Sequence, residues 1–238
     1  MHKRLLLLSN SANYQQEFLA HARHEIKRFF GDEVKRVLFV PYAAVTATFE
    51  EYTQKASRVL NELGYEVNPI HLEKDPLLSV QNAEAIAMAG GNTFRLVYML
   101  YQTEIMGALR EKVNGGTPYL GWSAGINVSC PTLRTTNDMP IIEPPSFETL
   151  NLVPFQINPH YTDFVQPDHT GETREQRLLE FITLNPKVPV VGLREGTMLR
   201  IEGPVVKLIG EKPLRLFLYG EPPKEYSPGS SLDFLLNP

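Results

Sequence analysis

Five short apolar runs, at 4–9, 36–41, 66–70, 85–89 and 118–121, alternate with helix-period segments at 16–30, 49–63, 94–102 and 105–114 through the first half of the chain. Parallel strands cannot be joined by a tight turn and need a crossover, which a helix supplies, so repeated strand–helix alternation predicts a mostly parallel sheet with helices on both faces. Val37-Leu38-Phe39-Val40 is apolar without any polar alternation, as a strand covered on both sides must be. The pattern then changes. Runs at 155–158 and 188–193 bracket a helix expected from 172 to about 184, and runs at 198–202, 205–209 and 214–219, punctuated by Gly203-Pro204 and Glu211-Lys212, read as a late antiparallel meander. The expected class is α/β, with late antiparallel strands added to the parallel sheet. Neither an internal repeat nor a linker divides the 238 residues, so one domain over 1–238 is expected.

The last run of the first half opens into Gly121-Trp122-Ser123-Ala124-Gly125, a serine between two glycines, followed by Ile126-Asn127-Val128. A serine on a sharp strand-to-helix turn needs small neighbours, because bulk on either side would block both the backbone and a substrate. The first amides of the following helix, that of Ala124 included, then face any negative charge that develops beside the serine. Gly90-Gly91 makes a similar turn after the run at 85–89, and the Gly91 amide is a candidate second donor. Its surroundings lack the G-x-x-x-x-G-K-[ST] spacing of a phosphate loop.

A nucleophilic serine usually needs a histidine, and the chain has six. His2 is in the N-terminal tail, His71 in a polar connection, and His21 and His24 sit on a helix in the order H-x-x-H-E, which is not a zinc-helix pattern. His160 ends the run 155–159, where a strand would deliver it to the sheet edge that carries the serine. His169, in a polar loop, is the reserve. An ordinary α/β-hydrolase places its histidine near the chain end, and here no histidine follows position 169.

Six ordered blocks carry a resemblance: Ala89-Gly90-Gly91-Asn92-Thr93, the 121–125 turn, Thr135-Thr136-Asn137-Asp138-Met139-Pro140, Asn158-Pro159-His160-Tyr161, Gly171-Glu172-Thr173-Arg174-Glu175-Gln176-Arg177 and Gly192-Leu193-Arg194-Glu195-Gly196-Thr197. Over nearly its whole length the sequence resembles the peptidase E family, aspartyl dipeptidases whose flavodoxin-like fold is similar to the class I glutamine amidotransferase domain with serine in place of cysteine. The resemblance implies Ser123 as nucleophile, His160 as general base, no cofactor, and dipeptides with an N-terminal aspartate as substrates. Both Asp138 and Glu195 lie in blocks that the family associates with the acid orienting the histidine. Asp138 is the first choice, since its shorter side chain loses less entropy when held, and Glu195 the alternative.

An acidic substrate needs a local cation, because the net charge is −4 and the pI about 5.9. Arg174, opening the helix beside the 161–171 loop, is the candidate, with the guanidinium fork suited to a carboxylate and the loop suited to a lid. The same negative balance disfavours a nucleic-acid or anionic-membrane partner. Lys3-Arg4 before four leucines reads as a buried first strand rather than a signal peptide, no stretch approaches the roughly 20 apolar residues of a membrane span, and cytoplasmic residence is the default. Cys130 is the only cysteine, seven residues beyond the serine, and reads as a packed small residue. Monomer and homodimer are both open. The competing functions are a cyanophycinase-like hydrolase of the same fold, an amidotransferase, which would carry cysteine at 123, and a non-catalytic binding protein.

Overall fold

The apolar runs of the first half become strands β1 (Arg4–Leu8), β2 (Arg36–Val40), β3 (Glu66–Pro69), β4 (Ala85–Met88) and β5 (Tyr119–Trp122) in the computed structural model, which describes residues 2–168 and 170–237. The helices between and after them are α1 (Arg23–Phe30), α2 (Phe49–Glu62), α3 (Pro76–Gln81), α4 (Thr93–Gln102), α5 (Met106–Asn114), α6 (Ala124–Asn127) and α7 (Arg174–Leu184). The later strands are β6 (Gln156–Tyr161), β7 (Val190–Arg194), β8 (Met198–Glu202), β9 (Val205–Ile209), β10 (Leu214–Phe217) and β11 (Lys224–Tyr226).

The main sheet runs β3-β2-β4-β5-β1-β8-β9, parallel from β3 to β1 and antiparallel at β8 and β9. Both faces are buried along its central strands β2, β4, β5 and β1. Leu5 and Leu7 enter one hydrophobic cluster while Leu6 and Leu8 enter the other, the alternation of side chains across a strand made visible in β1. Local sequence fixes where several helices begin. Thr48 accepts from the Glu51 amide at 3.1 Å while the Glu51 carboxylate takes the Thr48 amide at 2.8 Å, and Thr173 and Gln176 repeat the arrangement at α7.

Two expectations are corrected and two short elements are added. The segment 16–30 is helical only from Ala20 onward, first as a 3-10 turn and then as α1, because Gln15 and Leu19 are left-handed (φ +59° and +56°) and break the spiral. Leu19 instead bonds back to the Ser11 carbonyl, which folds Phe18 against Trp122 with ring centroids 5.8 Å apart. The late strands do not form one meander. β8 and β9 pair with each other and with β1, but the chain turns at Gly210 (φ +120°) and β10 joins a second sheet of order β11-β10-β7-β6, in which β6 and β7 are parallel. Finally, α3 and β11, six and three residues long, are too short to have left a periodic signal.

The architecture sets the site by bringing strand ends together. β5 lies between β4 and β1, so the turns after these three strands share one edge. The Ser123 amide donates to the Leu8 carbonyl at 3.1 Å, tying the β5 turn to β1. The second sheet meets this edge at Ser9, whose Oγ donates to the Leu193 carbonyl at 2.7 Å and accepts the His160 amide at 2.9 Å.

Candidate active site

Ser123 stands at φ +52° and ψ −114°, between the last residue of β5 and the first of α6. A non-glycine residue there stores strain of order 1–3 kcal/mol, and the packing around it holds the turn. The flanking glycines are dictated by contact. A Cβ on Gly121 would come within 2.7 Å of the Gly125 carbonyl oxygen, and one on Gly125 within 2.3 Å of the Met88 carbonyl oxygen on β4. The Gly90 turn backs directly onto the serine, since a Cβ on Gly90 would lie 3.0 Å from Ser123 Cβ. Gly91 follows at φ +138°, with the Ala43 carbonyl oxygen 2.3 Å from where its Cβ would be. Position 91 therefore admits only glycine, and its backbone lies open beside the elbow. The Ala124 amide is at the first position of α6, where no intrahelical acceptor exists.

His160 is presented by an irregularity. β6 and β7 pair in register through Asn158 and resume at Tyr161, and between them His160 adopts φ +53°. Its Nε2 lies 2.9 Å from Ser123 Oγ, and its Nδ1 lies 2.6 Å from Glu195 Oε1. A carboxylate only accepts, so Nδ1 carries the proton it donates to Glu195, and Nε2 is left to accept from the serine hydroxyl. Glu195 immediately follows β7, the neighbour of β6. Its place opposite the ring is a consequence of that pairing.

Asp138, the first choice for the orienting acid, is elsewhere. Its Oδ2 accepts from the Thr93 amide at 2.7 Å and the Thr93 hydroxyl at 2.5 Å, capping the start of α4. The Asn92 side chain donates to the Met139 carbonyl at 2.9 Å, so the 134–141 loop is fastened to the Gly90-Gly91-Asn92 turn. A carboxylate at a helix N-terminus satisfies amides that the helix cannot. The short side chain that made Asp138 attractive is committed there, and the longer Glu195 reaches the imidazole.

Arg174 opens α7, and its Nη1 lies 3.4 Å from Asn158 Oδ1. The guanidinium is half-buried. Burial and then the neighbouring Arg177 cation depress its pKa. It does not line the cavity of about 540 Å³ that holds Ser123, His160, Gly90 and Gly91, but a smaller hollow beneath Thr162, Phe164 and Val165. Arg194 is occupied: it pairs with Glu225 at 2.7 Å and with Asp163, and lies over the Tyr161 ring. The reserve histidine, His169, lies outside the described residues. Among those described, no group of three or more His, Cys, Asp or Glu side chains is placed to hold a metal ion, and no helix is long and apolar enough to cross a membrane. Cys130 is buried, and burial pushes its thiol up to about 12.

Two residues of the site have no motif of their own. Ser9, at the end of β1, fixes the strained His160 amide, and the only hint of it in the sequence is a polar residue closing an apolar run. Tyr52, on α2, accepts the Trp122 indole N–H at 2.8 Å across a separation of 70 residues, which local patterning does not reveal.

Known proteins resemble this chain over nearly its whole length. The chain is 56% identical over 236 residues to a peptidase E of Nostoc sp., covering 99% of this chain and 98% of that protein. It is 50% identical over 237 residues to a peptidase E of Streptomyces coelicolor, covering 98% and 95%. The crystal structure of a peptidase from an acI-B1 Actinobacterium superposes with a TM-score of 0.69 at 21% identity, over 98% of this chain and 97% of that one, a likeness of fold. Residues 5–209 match the sequence profile of Peptidase family S51, so the chain belongs to that family and is a serine peptidase.

Proposed function

We propose that the protein hydrolyses dipeptides bearing an N-terminal aspartate through an acyl-enzyme on Ser123. The observation that carries this reading is the continuous hydrogen-bond path from Ser123 Oγ through His160 to Glu195. His160 Nε2 takes the serine proton as Oγ attacks the scissile carbonyl, and the imidazolium that forms is stabilised by the Glu195 carboxylate already bonded to Nδ1. The backbone amides of Gly91 and Ala124 receive the developing oxyanion. His160 then returns the proton to the leaving amine, and a water molecule, activated by the same nitrogen, releases the aspartate from Ser123.

The aspartyl preference is assigned to Arg174. Its hydrogen-bond partner is the neutral Asn158 amide at 3.4 Å, and Glu172, which lines the same hollow, pairs with Arg177 at 3.7 Å. A half-desolvated cation in such a setting favours a carboxylate strongly. The 161–171 loop, of which residues 162 and 164–166 line this hollow, is assigned the part of a lid, with cytoplasmic residence and a monomer or homodimer as the accompanying expectation.

The test is a substrate panel assayed without added metal: Asp-X, Glu-X, Asn-X and isoaspartyl dipeptides, N-acetylated Asp-X, and a longer peptide beginning with aspartate. Turnover confined to free Asp-X supports the reading. Equal turnover of Asn-X, or efficient cleavage of the N-acetylated or longer peptides, contradicts it.

A further inference from the structure

The cavity around Ser123 offers little to a substrate's negative charge. Apart from Tyr52, the one ionisable side chain among the described residues that lines it is His160. A dipeptide nevertheless carries a second carboxylate, the free α-carboxylate of its leaving residue, two bonds beyond the scissile nitrogen. The Ser123 cavity opens into a hollow of about 760 Å³ along α2, and the two share Ser11, Thr46, Ala47 and Tyr52 as walls. The far wall brings Lys55 and Arg58, one turn apart on α2.

Several features fit this hollow to an anion. Among the described residues neither Lys55 nor Arg58 forms an ion pair, and the one carboxylate on the wall, Glu51, is engaged with the Thr48 amide and hydroxyl at 2.8 and 3.1 Å. Lys55 Nζ is held 4.7 Å from the centroid of the Phe18 ring, which packs edge-on against Trp122, the residue before the nucleophile. Tyr52 stands at the boundary of the two spaces. Its oxygen accepts the Trp122 indole N–H, so its own proton is left to donate, and burial pushes its pKa up to about 12, which keeps that proton in place.

We infer that the hollow along α2 is the leaving-residue subsite, where Lys55, assisted by the Tyr52 hydroxyl and by Arg58, receives the free C-terminal carboxylate of the dipeptide. The assignment rests on the dipeptidase reading above and deepens it. The aspartyl side chain is read on the His160 flank of Ser123 and the terminal carboxylate on the α2 flank. A longer peptide places an uncharged amide where the carboxylate should be, so the subsite selects for dipeptides by charge.

The experiment compares Asp-Leu with Asp-Leu amide, which lacks only that charge. The unsubstituted protein should favour Asp-Leu in kcat/KM. Lys55→Met should lower kcat/KM for Asp-Leu about five- to tenfold, mostly through KM, as expected for a partly exposed charge pair, and alter Asp-Leu amide less than about twofold. Lys55→Arg should restore most of the loss, and adding Arg58→Met to Lys55→Met should deepen it. Equal losses on the two substrates, or an undiminished Asp-Leu rate in the double variant, would overturn the subsite while leaving the aspartyl peptidase reading intact. Failure of that reading would look different: the unsubstituted protein would cleave neither substrate, and the subsite would fall with it.

Discussion

His160 Nδ1 lies 2.6 Å from Glu195 Oε1, which puts a carboxylate just past the end of β7 in position to orient the imidazole. Glu195→Gln removes the carboxylate that fixes the tautomer and stabilises the imidazolium, and should lower kcat by about 10³-fold, less than the roughly 10⁴-fold known for a fully buried triad acid because Glu195 is half exposed. Asp138→Asn should cost less than about tenfold, together with about 1 kcal/mol of stability from the weakened cap on α4. Steady-state kinetics on Asp-Leu and urea midpoints for both variants check the ranking. The reverse order, in folded proteins, returns the role to Asp138.

Arg174→Met keeps much of the apolar stem and removes the fork. For Asp-Leu, kcat/KM should fall by about two to three orders of magnitude, as when one member of a desolvated charge pair is lost. Asn-Leu, where it is turned over, should lose much less. Parallel losses on both substrates would mean that Arg174 supports Asn158 and the 161–171 loop rather than reading the aspartyl side chain.

Gly125→Ala tests the packing under the nucleophile. The added Cβ would sit 2.3 Å from the Met88 carbonyl oxygen, so either β4 or the elbow must shift. A loss of about 2–3 kcal/mol is expected, with a further drop in kcat in the folded fraction because the Gly90 turn moves with β4. Thermal unfolding and single-turnover rates measure the two effects. A variant of undiminished stability and rate would show that this contact is not what holds the serine.

Acid stability should depend on Glu225. Hydrogen bonding from Arg194, opposed by burial and reinforced by Arg215, holds its carboxyl below the ordinary 4.5. A depressed folded-state pKa stabilises the fold above the unfolded-state value, and the contribution disappears as pH falls through the lower one. Glu225→Gln should therefore reduce the difference between urea midpoints at pH 6 and pH 3. An unchanged difference would remove the Arg194–Glu225 pair from the acid response.

What the sequence reveals about this molecule follows the range of the interactions involved. Val37 to Val40 and the glycines at 121 and 125 are legible because strand burial and the elbow's crowding act within a few residues. The choice between Asp138 and Glu195 is not. It depends on which strand lies next to β6, and on Thr93, 45 residues from Asp138, already using that carboxylate. The left-handed Leu19 cuts short an otherwise helical pattern because its amide closes onto Ser11, a contact outside the period of a helix. β10 leaves the main sheet through a turn at Gly210 that looks like any hairpin turn in the sequence.

Covalent labelling probes the nucleophile itself. Treatment with a fluorophosphonate, followed by intact-mass measurement and peptide mapping, should give one adduct, on Ser123, with Asp-Leu hydrolysis lost in proportion to labelling. Ser123→Ala and His160→Ala, both folded, should give no adduct and activity lower by several orders of magnitude. An unlabelled Ser123, or a Ser123→Ala protein that retains more than a few per cent of the original Asp-Leu turnover, would contradict the assignment of the nucleophile.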